Sequence, residues 1–435
     1  MSMLRPIVVC ALLVTCLAAA GSAMWSDSQS PSPITFTDEE KSRILQHSPL
    51  PAPPHDASNR YSSDEGAARF GQFLFFDTRF SPDNAVSCST CHDPAKGFSD
   101  GRQLSKGLKV VERHAQALWN VAHNRWFFWD GRADSLWSQA LVPLERPDEM
   151  GGDRAGIAHA IFRDVRLRAA YEGIFGRMID VSDAERFPAH AMPVADAPHD
   201  PLNVAWRSMR EEDQRAINAI FANIGKALAA YESKIISRDA PFDRFVAGLR
   251  EGDIAKQAAI SDSAKRGLKI FVGRGNCRLC HSGPNFSDGE FHSVAPPTLT
   301  GEEPTDAARF AGIDKLKTSA FNALGAFTDD PDGAASKRLA ALINKPDNWG
   351  QFKTPSLRSV ALTAPYMHQG QYGTLRQAIE HYSTLADAVQ IGHHREKILR
   401  PLNLSEQEMQ DLQAFLESLT GAPLPENLLR QAPGP

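Results

Sequence analysis

Cys88, Cys91 and His92 form a C-x-x-C-H, and Cys277, Cys280 and His281 form a second. Two thiols at that spacing can each add to one vinyl group of a haem. The histidine that follows can turn its imidazole onto the iron, so the motif is the attachment signature of a c-type haem. The chain has six cysteines, and these two motifs use four of them. Other chemistries of paired thiols fit less well. One zinc could take all four sulfurs, but compact zinc sites separate their pairs by tens of residues, and here almost half the chain intervenes. A thioredoxin-like redox pair does not account for a histidine after both motifs. The spacing predicts two covalently bound c-type haems.

The elements that must position these groups also come in pairs. Gly71-Gln72-Phe73-Leu74-Phe75 precedes the first motif and Gly267-Leu268-Lys269-Ile270-Phe271 the second. Phe-Ser-Asp-Gly follows each, at Phe98 to Gly101 and Phe286 to Gly289. Matching elements on both sides of a motif point to internal duplication. Apolar residues at helical spacing predict a helix from Ser63 to Phe76 and another from Asp213 to Ser237. Ser405 to Glu408 reads as a capping box opening a helix to Leu419, before Gly421. Thr374 and Gln377 form a second such box. Val181 to Pro201 and Ser293 to Asn348 read as irregular. Sustained strand alternation is scarce. The predicted fold is mostly α, with two tandem class I cytochrome c-like haem domains at residues 59–245 and 246–435. The boundary between them falls near Pro241 to Ala255.

Over 435 residues, roughly one domain per 150 allows two or three domains. A formal net charge of -5 gives no reason to expect nucleic acid as a partner. Arg5, the apolar run Ile7 to Ala20 and the small residues Gly21-Ser22-Ala23 predict a signal peptide over residues 1–23 and export to the periplasm. The run is short for a membrane span. Cys10 and Cys16 lie inside that leader, so the mature chain would keep only the four haem cysteines. Residues 24–58, rich in Ser, Pro and Asp, read as an exposed N-terminal arm.

Two C-x-x-C-H units, Trp129-Asp130-Gly131-Arg132, Glu149-Met150-Gly151 and Thr363-Ala364-Pro365-Tyr366-Met367-His368, in this order, resemble the bacterial dihaem cytochrome c peroxidase and MauG superfamily. The resemblance runs from about Ser63 to Thr420. It implies a peroxidatic first haem with His92 as proximal ligand and hydrogen peroxide as substrate. Glu149 resembles the family's distal glutamate, and a carboxylate near a bound peroxide can take one proton and return it to the leaving oxygen. Gln139 and Pro143 resemble the residues beside it. Trp129 resembles the tryptophan that relays charge between the haems; a tryptophan in a run such as Trp126-Phe127-Phe128-Trp129 is more often core packing, but the Asp130-Gly131-Arg132 that follows favours the family role. Phe98 to Glu112 contains no histidine that could block the first iron, so an open sixth position is expected there.

His281 would hold the second iron. Its other ligand is Met in the cytochrome c peroxidases and Tyr in MauG, and the matching position here is Tyr382. An anionic tyrosine oxygen stabilises oxidised iron, whereas Met raises the potential. The resemblance thus leans toward the MauG-like branch, which stores oxidising equivalents across both haems and draws them from a Trp or Tyr of a partner protein. MauG-type enzymes of methanobactin or copper-uptake systems act on a small partner in this way. The alternative is a dihaem cytochrome c peroxidase fed by a small cytochrome c or a cupredoxin. Thr363 and Pro365 resemble carbonyl ligands to a calcium between the haems. The family's third ligand, an Asn, aligns with His114, with Asn120 nearby, and an imidazole is a poor calcium ligand. Gly275 stands where MauG has its exit tryptophan, so another exit is implied.

Overall fold

Two helix crossings organise the chain, whose computed structural model describes residues 34–389 and 396–434. In the first crossing, helix Glu65–Phe75 lies against helix Glu211–Glu232. In the second, helix Asp262–Val272 lies against helix Glu406–Glu417. Aromatic pairs seal both, Phe75 on Tyr231 with ring centroids 5.2 Å apart and Phe271 on Phe415 at 5.0 Å. The two N-terminal partners begin on side-chain caps: Asp64 accepts from the backbone N–H of Ala67, and Ser261 from that of Ala264. Ser405 and Glu408 form the expected capping box.

Each crossing is closed by a glycine. A Cβ on Gly71 would stand 1.9 Å from the carbonyl oxygen of Ala227, and one on Gly267 would stand 2.0 Å from that of Asp411. The backbones touch, so a methyl group can enter only by prising the helices apart. Overpacking of this kind costs roughly 1–3 kcal/mol, occasionally more. We expect Gly71→Ala and Gly267→Ala each to lower the thermal midpoint by several degrees, read by circular dichroism.

A second pattern recurs at one constant offset along the chain. Asn120 and Ser359, both left-handed (φ 59° and 56°), open short 3-10 turns. Phe127 pairs with Ala133 in an isolated antiparallel bridge, and Tyr366 pairs with Tyr372 in the same way. Ser135 then caps helix Leu136–Glu145, and Thr374 caps helix Leu375–Thr384. Side-chain identity hides this repeat from the sequence, because Trp129-Asp130-Gly131-Arg132 faces His368-Gln369-Gly370-Gln371. The backbone conformation reveals it.

The only β-ladder among the described residues is the antiparallel pair Phe291–His292 and Phe352–Lys353. The stretch expected to be irregular from Ser293 to Asn348 holds helices Arg309–Thr318 and Ala334–Ala340. No helix among the described residues is long and apolar enough to cross a membrane. The expected leader, residues 1–23, lies outside the described residues.

The N-terminal arm corrects the sequence reading, for its described part is docked rather than exposed. It carries helix Asp38–Leu45, capped by Thr37 and Glu40, and it buries Ile44 and His47 (0% and 2% exposed). The two ring nitrogens of His47 meet the carbonyls of Arg43 and His281 at 3.0 and 3.2 Å. Arg43 donates to the Val272 carbonyl and the Ser48 hydroxyl to Asp243. A single apolar stripe on so short a helix is a weak signal, and the surface that accepts it lies more than 200 residues away. The other end of the chain makes the reverse contact. Gln72 donates to the Arg430 carbonyl (2.7 Å), and the Tyr231 hydroxyl donates to the Leu428 carbonyl (2.7 Å).

Candidate functional site

The first motif occupies the helical turn Cys88–Cys91, and the second the 3-10 turn Cys277–Leu279. His92 Nδ1 donates to the Phe98 carbonyl (3.2 Å), and His281 Nδ1 donates to the Phe286 carbonyl (2.9 Å). Both phenylalanines are fully buried, and both hold positive φ (58° and 51°) to present that carbonyl. The bond anchors each ring through Nδ1, and burial lowers both imidazole pKa values so that the rings stay neutral. Neutral imidazole with one nitrogen anchored is the form that binds a metal. Burial pushes the Cys91 and Cys277 thiols up to about 12, and none of the four cysteines is in a disulfide. Thiols raised like Cys91 and Cys277 are not the low-pKa thiolates of a redox pair.

His92 opens onto a cavity that gathers Gln139, Pro143, Glu149 and Trp129, with Thr363 and Pro365 on its wall. Gln139 and Pro143 are one turn apart on helix Leu136–Glu145 and share a face. The loop that follows is tied down by Met150 N–H donating to the Pro143 carbonyl (3.1 Å) and Leu108 N–H to that of Glu149 (2.9 Å). The Glu149 side chain is 21% exposed and pairs with Arg146 Nε at 3.0 Å. Burial raises its pKa, and Arg132 and Arg146 pull it part of the way back. Its charge is felt at both Cys88 and Cys91, which puts it beside the first motif.

The repeat locates the second set. Pro143 and Tyr382 fall the same number of residues after their helix caps, Ser135 and Thr374. Tyr382 interacts electrostatically with Cys277 and Cys280, and burial above all raises its phenol pKa far beyond the ordinary value. One register position therefore carries a proline on the first side and a tyrosine on the second.

Trp129 is anchored at both ends. Its Nε1 donates to the His114 carbonyl (2.8 Å), and its own carbonyl accepts from Lys353 N–H (2.8 Å). Phe352, which packs with it, stacks on His368 with centroids 3.7 Å apart. The next residue, Asp130, ion-pairs with Arg113 and Arg132 at 2.7 and 3.0 Å. Burial alone would raise its pKa, but Arg132 and Arg113 outweigh burial and hold it at about 2.

No haem is present, so the fit must be judged from the residues. Lys353 lines the cavity, is 4% exposed, and has no ion pair among the described residues. Burial lowers its pKa to about 8. Arg132 Nε is buried without a partner. These cationic groups suit the carboxylates of a haem, and together with the two His–carbonyl pairs they fit such a group. Sequence reasoning missed both; the signal for Lys353 was a single cation inside Phe352-Lys353-Thr354-Pro355. Calcium fits poorly. His114 donates Nδ1–H to the Arg102 carbonyl (2.7 Å) and sets Nε2 beside the Ser99 hydroxyl. Asn120 spends its amide on the backbone of Ser237. Neither adds an oxygen to the carbonyls of Thr363 and Pro365, and oxygen is what calcium requires.

A mostly helical chain with two such histidine turns, and an anchored tryptophan in the cavity beside the first, fits a dihaem c-type oxidoreductase. The profile of the di-haem cytochrome c peroxidases matches residues 65–251. Cytochrome-c peroxidase IdrP2 of Denitromonas iodatirespirans is 34% identical over 357 residues, 81% of each chain. Methylamine utilization protein MauG of Methylorubrum extorquens is 32% identical over 376 residues, 85% of this chain and 82% of that one. The fold is similar to the crystal structure of a MauG-like protein associated with microbial copper homeostasis (TM-score 0.59, 24% identity, 88% of this chain and 97% of the other). The chain belongs to the di-haem cytochrome c peroxidase family and is a peroxide-dependent oxidoreductase with two c-type haems.

Proposed function

We propose that this is a periplasmic MauG-like enzyme that spends the oxidising power of hydrogen peroxide on a Trp or Tyr side chain of a partner protein. The observation that carries the reading is Tyr382, within electrostatic reach of Cys277 and Cys280, at the register position that Pro143 holds on the first side. Proline offers no ligand atom, so no side chain at that position would compete with peroxide beside the first motif. The Tyr382 oxygen would be a ligand at the second, where an anionic tyrosine oxygen would favour oxidised iron.

When bound, the haems supply peroxide activation and store the oxidising equivalents. His92 and His281 would hold the irons, and Cys88, Cys91, Cys277 and Cys280 would bind the macrocycles covalently. Glu149 takes a proton from peroxide and returns it to the departing oxygen. Gln139 and Pro143 shape the same pocket. Trp129, fixed from both sides, carries charge between the sites. The twin glycine crossings and the repeated turn-and-helix pattern support two tandem class I cytochrome c-like domains; helix Pro241–Glu251 runs through the expected boundary at 245/246 and packs with the second, Phe242 meeting Phe286 and Phe415. The link to a copper system rests on fold likeness alone.

A second reading, peroxide detoxification with electrons from a small cytochrome c or cupredoxin, is favoured by the name of the relative with 34% identity. Optical and EPR spectra of the diferric protein, taken before and after one equivalent of peroxide, separate the two. We expect one high-spin and one low-spin ferric haem, both losing their ferric signals. Two low-spin haems that stay inert until one is reduced would favour the second reading and remove Tyr382 from the iron.

A further inference from the structure

Beside Tyr382 lies a hydrogen-bonded cluster that the proposed reaction does not yet use. The Tyr372 hydroxyl donates to Asp387 Oδ2 at 2.6 Å and lies 2.9 Å from His381 Nδ1. His381 Nδ1 is also 2.7 Å from Asp387 Oδ1, and its Nε2 donates to the Val294 carbonyl at 2.8 Å. The His381 ring stands between two phenols, with centroids 5.5 Å from Tyr372 and 5.3 Å from Tyr382. Tyr372 is 8% exposed, but it sits just under the surface: Gly373, Thr374, Ala386 and Asp387 around it are exposed, and the Asp387 side chain is 43% exposed. The cluster runs from the ring beside Tyr382 to the exposed side chain of Asp387.

A buried phenol gives up an electron readily only if its proton can leave in the same event, because the cation it would otherwise form is far more acidic than the phenol. A short hydrogen bond to a carboxylate provides that path. Burial, then the Asp387 carboxylate, raises the Tyr372 pKa well above its ordinary value, so the resting group is the neutral phenol. Purely structural hydroxyls more often end on a backbone carbonyl, as Tyr231 does on Leu428.

We propose that Tyr372 is the exit through which oxidising equivalents leave the second haem site for the partner's aromatic side chain, with Asp387 holding the proton. The inference rests on the MauG-like reading above. One electron passes from Tyr372 toward the second site, the O–H bond breaks, and the proton moves along the 2.6 Å bond to Asp387. The neutral phenoxyl then takes one electron from the partner's Trp or Tyr, and the proton returns from Asp387. Hydrogen peroxide is the oxidant, and each molecule supports two such transfers. The route meets the surface near Asp387 and makes no use of Gly275.

The test is freeze-quench EPR of the full dihaem protein after one equivalent of hydrogen peroxide without partner, repeated with ring-deuterated tyrosine. We expect an organic radical that narrows on deuteration and is absent in Tyr372→Phe. The peroxide-driven loss of both ferric signals should persist in that variant, as should the low-spin signal of the resting second haem, which a merely structural role would disturb. Asp387→Asn keeps the phenol but removes the proton acceptor, and should cut the radical yield several-fold. A radical that survives Tyr372→Phe, or no tyrosine radical although both ferric signals disappear, would overturn the exit alone. Ferric signals that do not respond to peroxide in the wild type would overturn the proposed function, and the exit with it.

Discussion

Glu149→Gln is expected to slow the reaction of peroxide with the diferric protein by roughly 10²–10⁴-fold, the usual contribution of a positioned proton-transfer group. The substitution keeps the size of the side chain and removes only its basicity. Stopped-flow spectrophotometry reads the effect directly. The wild type should also show an acid limb. In the proposed mechanism Glu149 acts first as a base, so the rate should fall as pH drops through its pKa. Burial raises that pKa, and Arg132 and Arg146 only partly compensate, so the limb should lie above the ordinary carboxylate value of 4.5. Glu149→Gln should lose the limb. A variant that reacts at the wild-type rate would remove the carboxylate from the mechanism and leave Glu149 as the partner of Arg146.

Tyr382→Met should abolish oxidation of the partner protein while peroxide still reacts at the His92 site. With Tyr382 as the proposed ligand, exchanging its anionic oxygen for a thioether would raise the potential of the second iron by an appreciable part of the roughly 0.8 V that axial ligands span. Such a site accepts electrons from a donor and no longer helps to store oxidising power. Potentiometry gives the shift, and mass spectrometry of the partner gives the lost modification. Undiminished partner oxidation in the variant would mean that the phenol of Tyr382 is not what sets the second site apart.

Local chemistry was readable in the sequence, and long-range contact was not. The C-x-x-C-H turns, the Phe-Ser-Asp-Gly runs and the capping boxes at Thr374 and Ser405 each depend on residues within a few positions of one another. Their signals are short-range and survive in the sequence. Helix Glu211–Glu232 was anticipated as Asp213 to Ser237, with its stripe intact and its ends shifted. The docking of Ile44 and His47 could not be read, because the surface they meet is made elsewhere in the chain. The cluster of Tyr372, His381 and Asp387 was missed for a different reason. Its members are close in sequence, but they meet only because the helix ends at Thr384 and the chain folds back on itself. The match between Trp129 and His368 was hidden by side chains, though both follow a residue at positive φ (Phe128 and Met367) inside the same bridged turn.

The docked ends carry a kinetic consequence. His47 closes on His281 across 234 positions, and Gln72 closes on Arg430 across 358. Each half is completed by a segment from the far end of the other, so neither closing contact is local. Pairings of such high contact order are late events in folding, because the entropy of the long loop is lost before the contact repays it. A cut between the halves, in the irregular stretch just before helix Pro241–Glu251, would therefore yield two fragments that each lack a piece of their own surface. Mixed together, they should complement one another and recover in a bimolecular step whose rate rises with concentration. Linear order and assembly unit do not coincide in this chain.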